Sequence, residues 1–402
     1  MKATAHGFMV LILAAVWASV PVVAQAPAAS AKGVAASLQT FIENRTLAGA
    51  VTLVASRDKV LNVETIGYAD IAVRKPMRAD SLFWIASMSK PITVTAFMML
   101  VDEGKVNVED PVEKYLPEFK GQWLAVEKDK DHMLLKQPQH PITIRNILTH
   151  TSGLPATSAM EKPTLDLFPL LVGARSYAMT PLEFPPDSKY QYANAGINTA
   201  GRIIEVVSGM PYEDFLQRRL FDPLGLKDTT FWPAGKQLQR LAKSYKSNLD
   251  KKELEETTVT QLRYPLDDRK RQPMPAGGLF STARDVARFC QMILAGGAID
   301  GKRYLSEDAV RQMTSVQTGD LPQAYGFGWS VLRKAGGDGL SAGSFGHGGA
   351  YKTAMWVEPK RQLVLVLMRQ HSGPFLVPDG NRIESVFVKA AIDKFGQAQP
   401  VP

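Results

Sequence analysis

The sequence predicts an α/β (α+β) fold: an antiparallel sheet built from N- and C-terminal strands, flanked by helices, with a mostly helical region inserted between its halves. Three observations carry this expectation. Residues 48–71, AGAVTLVASRDKVLNVETIGYADI, alternate apolar and polar positions on both sides of a break at Arg57-Asp58, the pattern of a two-stranded hairpin. Strand-like runs return near the other end, in GFGWSVL, AMWVEP and RQLVLVLMRQ. Between them the apolar spacing is helical, and one sheet shared by both ends is the economical way to join them.

The 402 residues are 45% hydrophobic and 21% charged, ordinary globular composition with length enough for a full core. The formal charge is +8. Residues 1–24 read as a secretory signal peptide, with positive charge at Lys2, an unbroken apolar stretch at 8–18 too short to span a bilayer, and Pro21 before Val22-Val23-Ala24. Removing it takes away one lysine and leaves 8 − 1 = +7. A charge this mild, with a longest basic run of Arg269-Lys270-Arg271 beside Asp267 and Asp268, reads as a solvated loop and not as a nucleic-acid surface. The single cysteine, Cys290, excludes a disulfide framework. A secreted or periplasmic protein held together by its core is expected, with no stable membrane insertion once the leader is gone.

Taken in order, residues 25–33 (QAPAASAKG) form a linker and residues 34–396 the folded domain. Its sheet part spans about 34–88 and 275–396, and its helical insertion about 108–270. From about 89 to 103 the apolar residues occupy more than one helical face, which marks a buried helix. Pro91 suits its first turn and Gly104 its end. A further helix starts in PITIRNILTHTSGL and stops at Ser152-Gly153, and helical spacing runs on both sides of Gly209. The charged stretches 127–132 and 242–256 read as surface insertions, TARDVARFCQMILAGG as a helix, and RIESVFVKAAIDKFG as a terminal amphipathic helix.

The histidines at 6, 132, 140, 150, 347 and 371 form no H-E-x-x-H, so no metal site is expected. Gly337-x-Gly339-x-x-Ala342 follows no βα unit and does not read as dinucleotide binding. Ser341, in Gly339-Leu340-Ser341-Ala342-Gly343, has no helix after it and reads as a flexible loop, not as a nucleophile elbow. S-x-x-K occurs twice, at Ser56-Lys59 and Ser87-Lys90. The pattern is common by chance, so position decides. The first pair straddles the hairpin turn. The second sits at the mouth of the buried helix, where the helix dipole favours a developing alkoxide. There a lysine one turn on from the serine loses water and can accept its proton as a neutral amine. Tyr192-Ala193-Asn194 adds a phenol to relay protons and an amide to bind a carbonyl, in the only Y-x-N of the chain. His347-Gly348-Gly349-Ala350 runs into a strand, where glycines let a substrate lie against the edge and the Ala350 N–H joins that of Ser87 as an oxyanion hole. A second H-x-G, His371-Ser372-Gly373, reads as a loop.

Ser87-x-x-Lys90, Tyr192-x-Asn194 and His347-x-Gly349, in that order, resemble the serine β-lactamase and penicillin-binding-protein superfamily. The most similar branch contains class C β-lactamases, D-alanyl-D-alanine carboxypeptidases and family VIII esterases. GYADI, YLPEF, ILTHTSGL, PAGGLFSTARDVARF and YGFGWSV fit as well, so the resemblance covers about residues 33–396. It implies a β-lactamase-like sandwich and an acyl-enzyme on Ser87. Lys90 and Tyr192 would share acid–base work, while Asn194, His347, Gly348, Gly349 and Ala350 bind substrate; no cofactor is implied. One departure matters: class C β-lactamases carry K-T-G where this chain has His347-Gly348-Gly349, and Lys352-Thr353-Ala354 is only a near match further along. A neutral histidine holds a lactam carboxylate poorly. The expectation is therefore a serine hydrolase of esterase or D-amino-acid peptidase/amidase type. The alternatives are a β-lactamase and a non-catalytic penicillin-binding-like sensor or scaffold. Partners are expected to be small ester, amide or lactam substrates, with no nucleic acid.

Overall fold

A computed structural model describes residues 33–397 apart from 157 and 376. The predicted signal peptide and all but Gly33 of the predicted linker lie outside the described residues. A seven-stranded sheet forms the centre: β1 (Gly49–Ser56), β2 (Val60–Asp70), β3 (Lys75–Pro76), β4 (Ser330–Val331), β5 (Phe345–Gly348), β6 (Ala354–Glu358) and β7 (Leu363–Met368), in spatial order β4-β5-β6-β7-β1-β2-β3. Every neighbouring pair is antiparallel. The two ends of the sequence meet at β1 and β7, where Val51 lies opposite Met368 and Ser56 opposite Leu363.

β7 is apolar at every position because both of its faces are covered. Val364, Val366 and Met368 join the larger core, which includes the buried helix α1 (Ser89–Asp102); Leu363, Leu365 and Leu367 pack under the terminal helix and the amino-terminal residues Val34 to Phe41. Period-two alternation thus feeds two cores. In α1 no apolar stripe stands out, since its residues from Ser89 to Leu100 are all buried. The helix ends before Gly104, whose φ of +69° suits the reversal.

The inserted region holds α2 (Ile144–Thr149), α3 (Leu170–Met179) and α4 (Asn194–Ser208); α5 (Ala283–Leu294) and α6 (Ile383–Phe395) follow. α2 stops earlier than Ser152-Gly153, because His150 takes a left-handed conformation at its end (φ +62°). The two charged stretches form antiparallel hairpins, Leu124–Lys128 with Met133–Lys136 and Ser244–Asn248 with Glu253–Thr257. His371–Ser372, read as loop, adds a parallel strand to the second hairpin at Tyr245 and Lys246. The basic run at 269–271 is only partly solvated. Arg271 is buried, and its Nε donates to Asp166 Oδ2 at 2.7 Å. That ion pair fastens residues 158–169 to the segment that leads into Ala276. Among the described residues no helix is long and apolar enough to cross a membrane.

Candidate active site

Ser87 lies in a single 3₁₀ turn, Ala86–Met88, that runs straight into α1. Two short strands hold this turn from behind: Phe83–Trp84 pairs with Phe280–Ser281, and the Ile85 N–H donates to the Leu279 carbonyl at 3.0 Å. Ser89, the other serine of S-M-S-K, is fully buried. Its hydroxyl donates to Ala86 O at 2.7 Å and accepts from the Leu279 N–H at 3.2 Å, so it braces the turn. Ala86, immediately before Ser87, has φ +45°, a strained value for a residue with a Cβ. Ser87 itself is partly exposed.

Lys90 is fully buried. Its Nζ lies 3.1 Å from Ser87 Oγ, 2.9 Å from Asn194 Oδ1 and 2.8 Å from Ala276 O. A neutral amine has two N–H bonds and one lone pair. The amide oxygen and the peptide carbonyl accept the two N–H bonds, and the lone pair is left for the serine. Burial pulls the lysine down from 10.5 to about 7, partly opposed by the negative charge of Glu161. Lys90 Nζ also lies 4.6 Å from the centre of the Tyr192 ring. Although Tyr192 is 40% exposed, lost hydration pushes its phenol well above the usual range, partly opposed by Ser87. It is therefore a proton donor at neutral pH.

Asn194 opens α4, directly after the extended residue Ala193. His150 steadies the approach. Its carbonyl accepts from the Gln191 N–H at 2.9 Å, its Nδ1 from the Ala193 N–H at 3.3 Å, and its ring lies 4.5 Å from that of Tyr192. His347 sits in β5 with its Nδ1 2.8 Å from Gly348 O and its Nε2 3.1 Å from the Tyr325 hydroxyl. These contacts fix one neutral tautomer, Nδ1–H donating and Nε2 accepting. Burial, and next the Lys90 charge, push the imidazole down to about 3.

The glycines following His347 do not run into a strand, as the sequence suggested. They end β5, and the chain reverses through a turn into β6. In that turn the Gly349 N–H donates to Thr353 O at 2.8 Å. A Cβ on Gly349 would lie 2.2 Å from Thr353 Oγ1 and 2.6 Å from the Ile85 carbonyl, so β5 and the Ser87 turn touch where only glycine fits. Gly349→Ala is expected to lower kcat/KM by roughly 10- to 100-fold by pushing these two segments apart. Esterase kinetics beside a melting curve check it, and unchanged kcat/KM would show that the contact does not set the geometry.

Ser87, Lys90, Tyr192, Asn194 and His347 are thus gathered in one place; Gly349 packs against the Ile85 carbonyl beside the Ser87 turn, and Gly348 and Ala350 lie exposed at the rim. Ser56 and Lys59 lie in the β1–β2 turn, where the Lys59 N–H donates to Ser56 Oγ at 3.2 Å. The loop at Ser341 is not loose. The Ser341 N–H donates to Glu358 Oε2 at 2.6 Å, and Arg361 Nη1 donates to Ser341 Oγ at 3.0 Å. Sequence reasoning missed the Ala276 carbonyl, Tyr325 and His150. A carbonyl carries no side-chain signature, but T-H-T-S-G-L and Y-G-F-G-W-S had already stood out as stretches. Among the described residues no cluster of His, Cys, Asp and Glu is arranged to hold a metal ion.

Comparison with known proteins agrees with this architecture. Protein Rv1367c of Mycobacterium tuberculosis is 32% identical over 370 residues, covering 84% of this chain and 89% of the relative. Esterase EstB of Burkholderia gladioli is 28% identical over 355 residues, covering 81% and 87%. The solved structure of EstCE1, described as a hydrolase with promiscuous acyltransferase activity, superposes with a TM-score of 0.73 at 23% identity over 89% of this chain and 97% of that one. The sequence model of the Beta-lactamase family matches residues 34–385, nearly the whole folded region, and the chain belongs to that family.

Proposed function

We propose that the protein is a serine hydrolase that forms an acyl-enzyme on Ser87 and acts on small esters or amides without a carboxylate next to the scissile bond. The observation that carries this reading is the hydrogen-bond set of Lys90, which leaves one lone pair for the Ser87 hydroxyl. Ser87 Oγ attacks the substrate carbonyl and its proton passes to Lys90. The N–H groups of Ser87 and Ala350 receive the oxyanion. Protonated Tyr192 delivers a proton to the leaving group and regains one from Lys90. Water then repeats the sequence in reverse and frees Ser87.

The preference for uncharged acyl donors rests on His347. A family member with lysine there offers a cation to a substrate carboxylate, whereas this histidine stays neutral down to about pH 3. The esterase name of a relative over most of the chain points the same way. An export signal on residues 1–24 and a single domain over 34–396 complete the proposal.

The test is mass spectrometry of intact protein and its digest after exposure to a panel of esters, D-amino-acid amides and lactams. An acyl adduct on the Ser87 peptide is expected, fastest with short esters. The acylation rate should rise with pH through about 7 as Lys90 loses its proton. An adduct on another serine, or faster acylation by a cephalosporin than by every ester, would sink the reading.

A further inference from the structure

The reaction leaves unused a second buried polar group that is linked to Lys90 through hydrogen bonds. Glu161 is 8% exposed, and among the described residues no ion pair to its carboxylate is found. Its oxygens instead accept from three neutral donors. Oε2 accepts from the Ser158 N–H at 2.9 Å, and Oε1 from the Tyr177 hydroxyl at 2.9 Å and from Asn198 Nδ2 at 3.4 Å. Asn198 Nδ2 also reaches the Tyr177 hydroxyl at 3.1 Å. A buried carboxylate with no cation beside it depends on such donors.

From this carboxylate a continuous chain runs to the lysine. Asn198 Oδ1 accepts from the Ala276 N–H at 3.0 Å, and the carbonyl of the same residue accepts from Lys90 Nζ at 2.8 Å. One side-chain amide and one residue's main chain therefore join Glu161 to the amine. The Asn198 amide relays polarisation from the carboxylate as far as the Ala276 N–H; the Ala276 carbonyl belongs to the next peptide group, so the lysine is reached through the placement of that residue and through the field of the carboxylate across a low-dielectric interior. The other titratable groups facing Lys90 are Tyr192, His150 and His347. Burial keeps the phenol protonated and both imidazoles neutral, and each imidazole is further held down by the Lys90 charge. Glu161 is thus the anion that opposes the desolvation of Lys90.

We infer that Glu161 is a positioning residue for the reaction: through Asn198 and the Ala276 peptide it sets the pH at which Lys90 becomes a base, and it never touches substrate. This rests on the assignment of Lys90 as the base for Ser87. Without the carboxylate the lysine loses its proton more readily, and the enzyme works in more acidic medium with a weaker base.

The experiment follows the rate at which a fluorophosphonate labels Ser87, read by mass spectrometry, from pH 5 to 9. The wild-type rate should rise through about 7. In Glu161→Gln the acid limb should move down by about half a unit to one unit, with a lower plateau. Glu161→Asp, which keeps the charge on a shorter arm, should move it by a smaller step. A limb unmoved in both variants, or in whichever one folds, overturns the inference even if the plateau falls, because a purely structural role lowers the rate without moving the titration. Wild type that is not labelled on Ser87 overturns the assignment of the base as well, and so separates the two failures.

Discussion

Ser87→Ala is expected to lower turnover of a short-chain nitrophenyl ester by at least about a thousandfold, while Ser341→Ala leaves it within about twofold. The contrast follows from placement. Ser87 Oγ is 3.1 Å from a fully buried amine and is partly open to solvent. Ser341 Oγ is 3.0 Å from the Arg361 guanidinium, and its N–H is bound by Glu358, a carboxylate of β6 with no exposed surface. No base attends it. Because Ser87 fills no core space, its alanine variant should melt within a few degrees of wild type, so lost activity can be read as lost chemistry. Activity lost with Ser341→Ala and kept with Ser87→Ala would reverse the assignment.

The second large effect is expected at Lys90. Lys90→Arg keeps a cation and its N–H donors but cannot offer a lone pair, since guanidinium does not deprotonate in proteins. Lys90→Met keeps the length and gives up the nitrogen. Both should lose roughly a thousandfold or more in kcat/KM. Appreciable activity in the arginine variant would mean that the lysine acts by charge alone. Stability should move the other way for methionine. A lysine drawn from 10.5 to about 7 disfavours the folded state while the unfolded chain still holds the proton. That penalty is full below about 7 and fades as pH rises towards 10.5. Removing it is worth on the order of a few kcal/mol, offset by about 1–3 kcal/mol for leaving Asn194 Oδ1 and Ala276 O without their donor. Thermal melts at pH 6 and pH 10 check the sign. The gain of Lys90→Met over wild type should be larger at pH 6.

Much of this was legible in the sequence, and the reasons differ by element. The β1–β2 hairpin was readable because its alternation breaks at one turn. α1 was readable because it is apolar on every face. S-x-x-K became informative through its place in front of that helix, which separated Ser87 from Ser56. The two surface hairpins were missed as strands because burial marks no face on them: Met133–Lys136 is mostly apolar yet exposed throughout, and Glu253–Thr257 is mostly charged. Arg271 was misread because a basic run says nothing about which of its members turns inward to Asp166. The Ala276 carbonyl and the link from Glu161 depend on segments far apart in the chain, and no local pattern encodes them.

The pairing of β1 with β7 carries a consequence for how the protein comes into being. Ser87 and Lys90 are made early, His347 late, and the strand that seats the sheet against β1 is later still. An emerging chain therefore carries the proposed nucleophile long before it has the wall opposite it. Contacts this remote in sequence close slowly. An amino-terminal fragment that ends before β7 (Leu363–Met368) cannot complete the sheet, so such a product carries S-M-S-K without the surroundings proposed to make it reactive. The proposed site is in this sense assembled only once synthesis has passed β7.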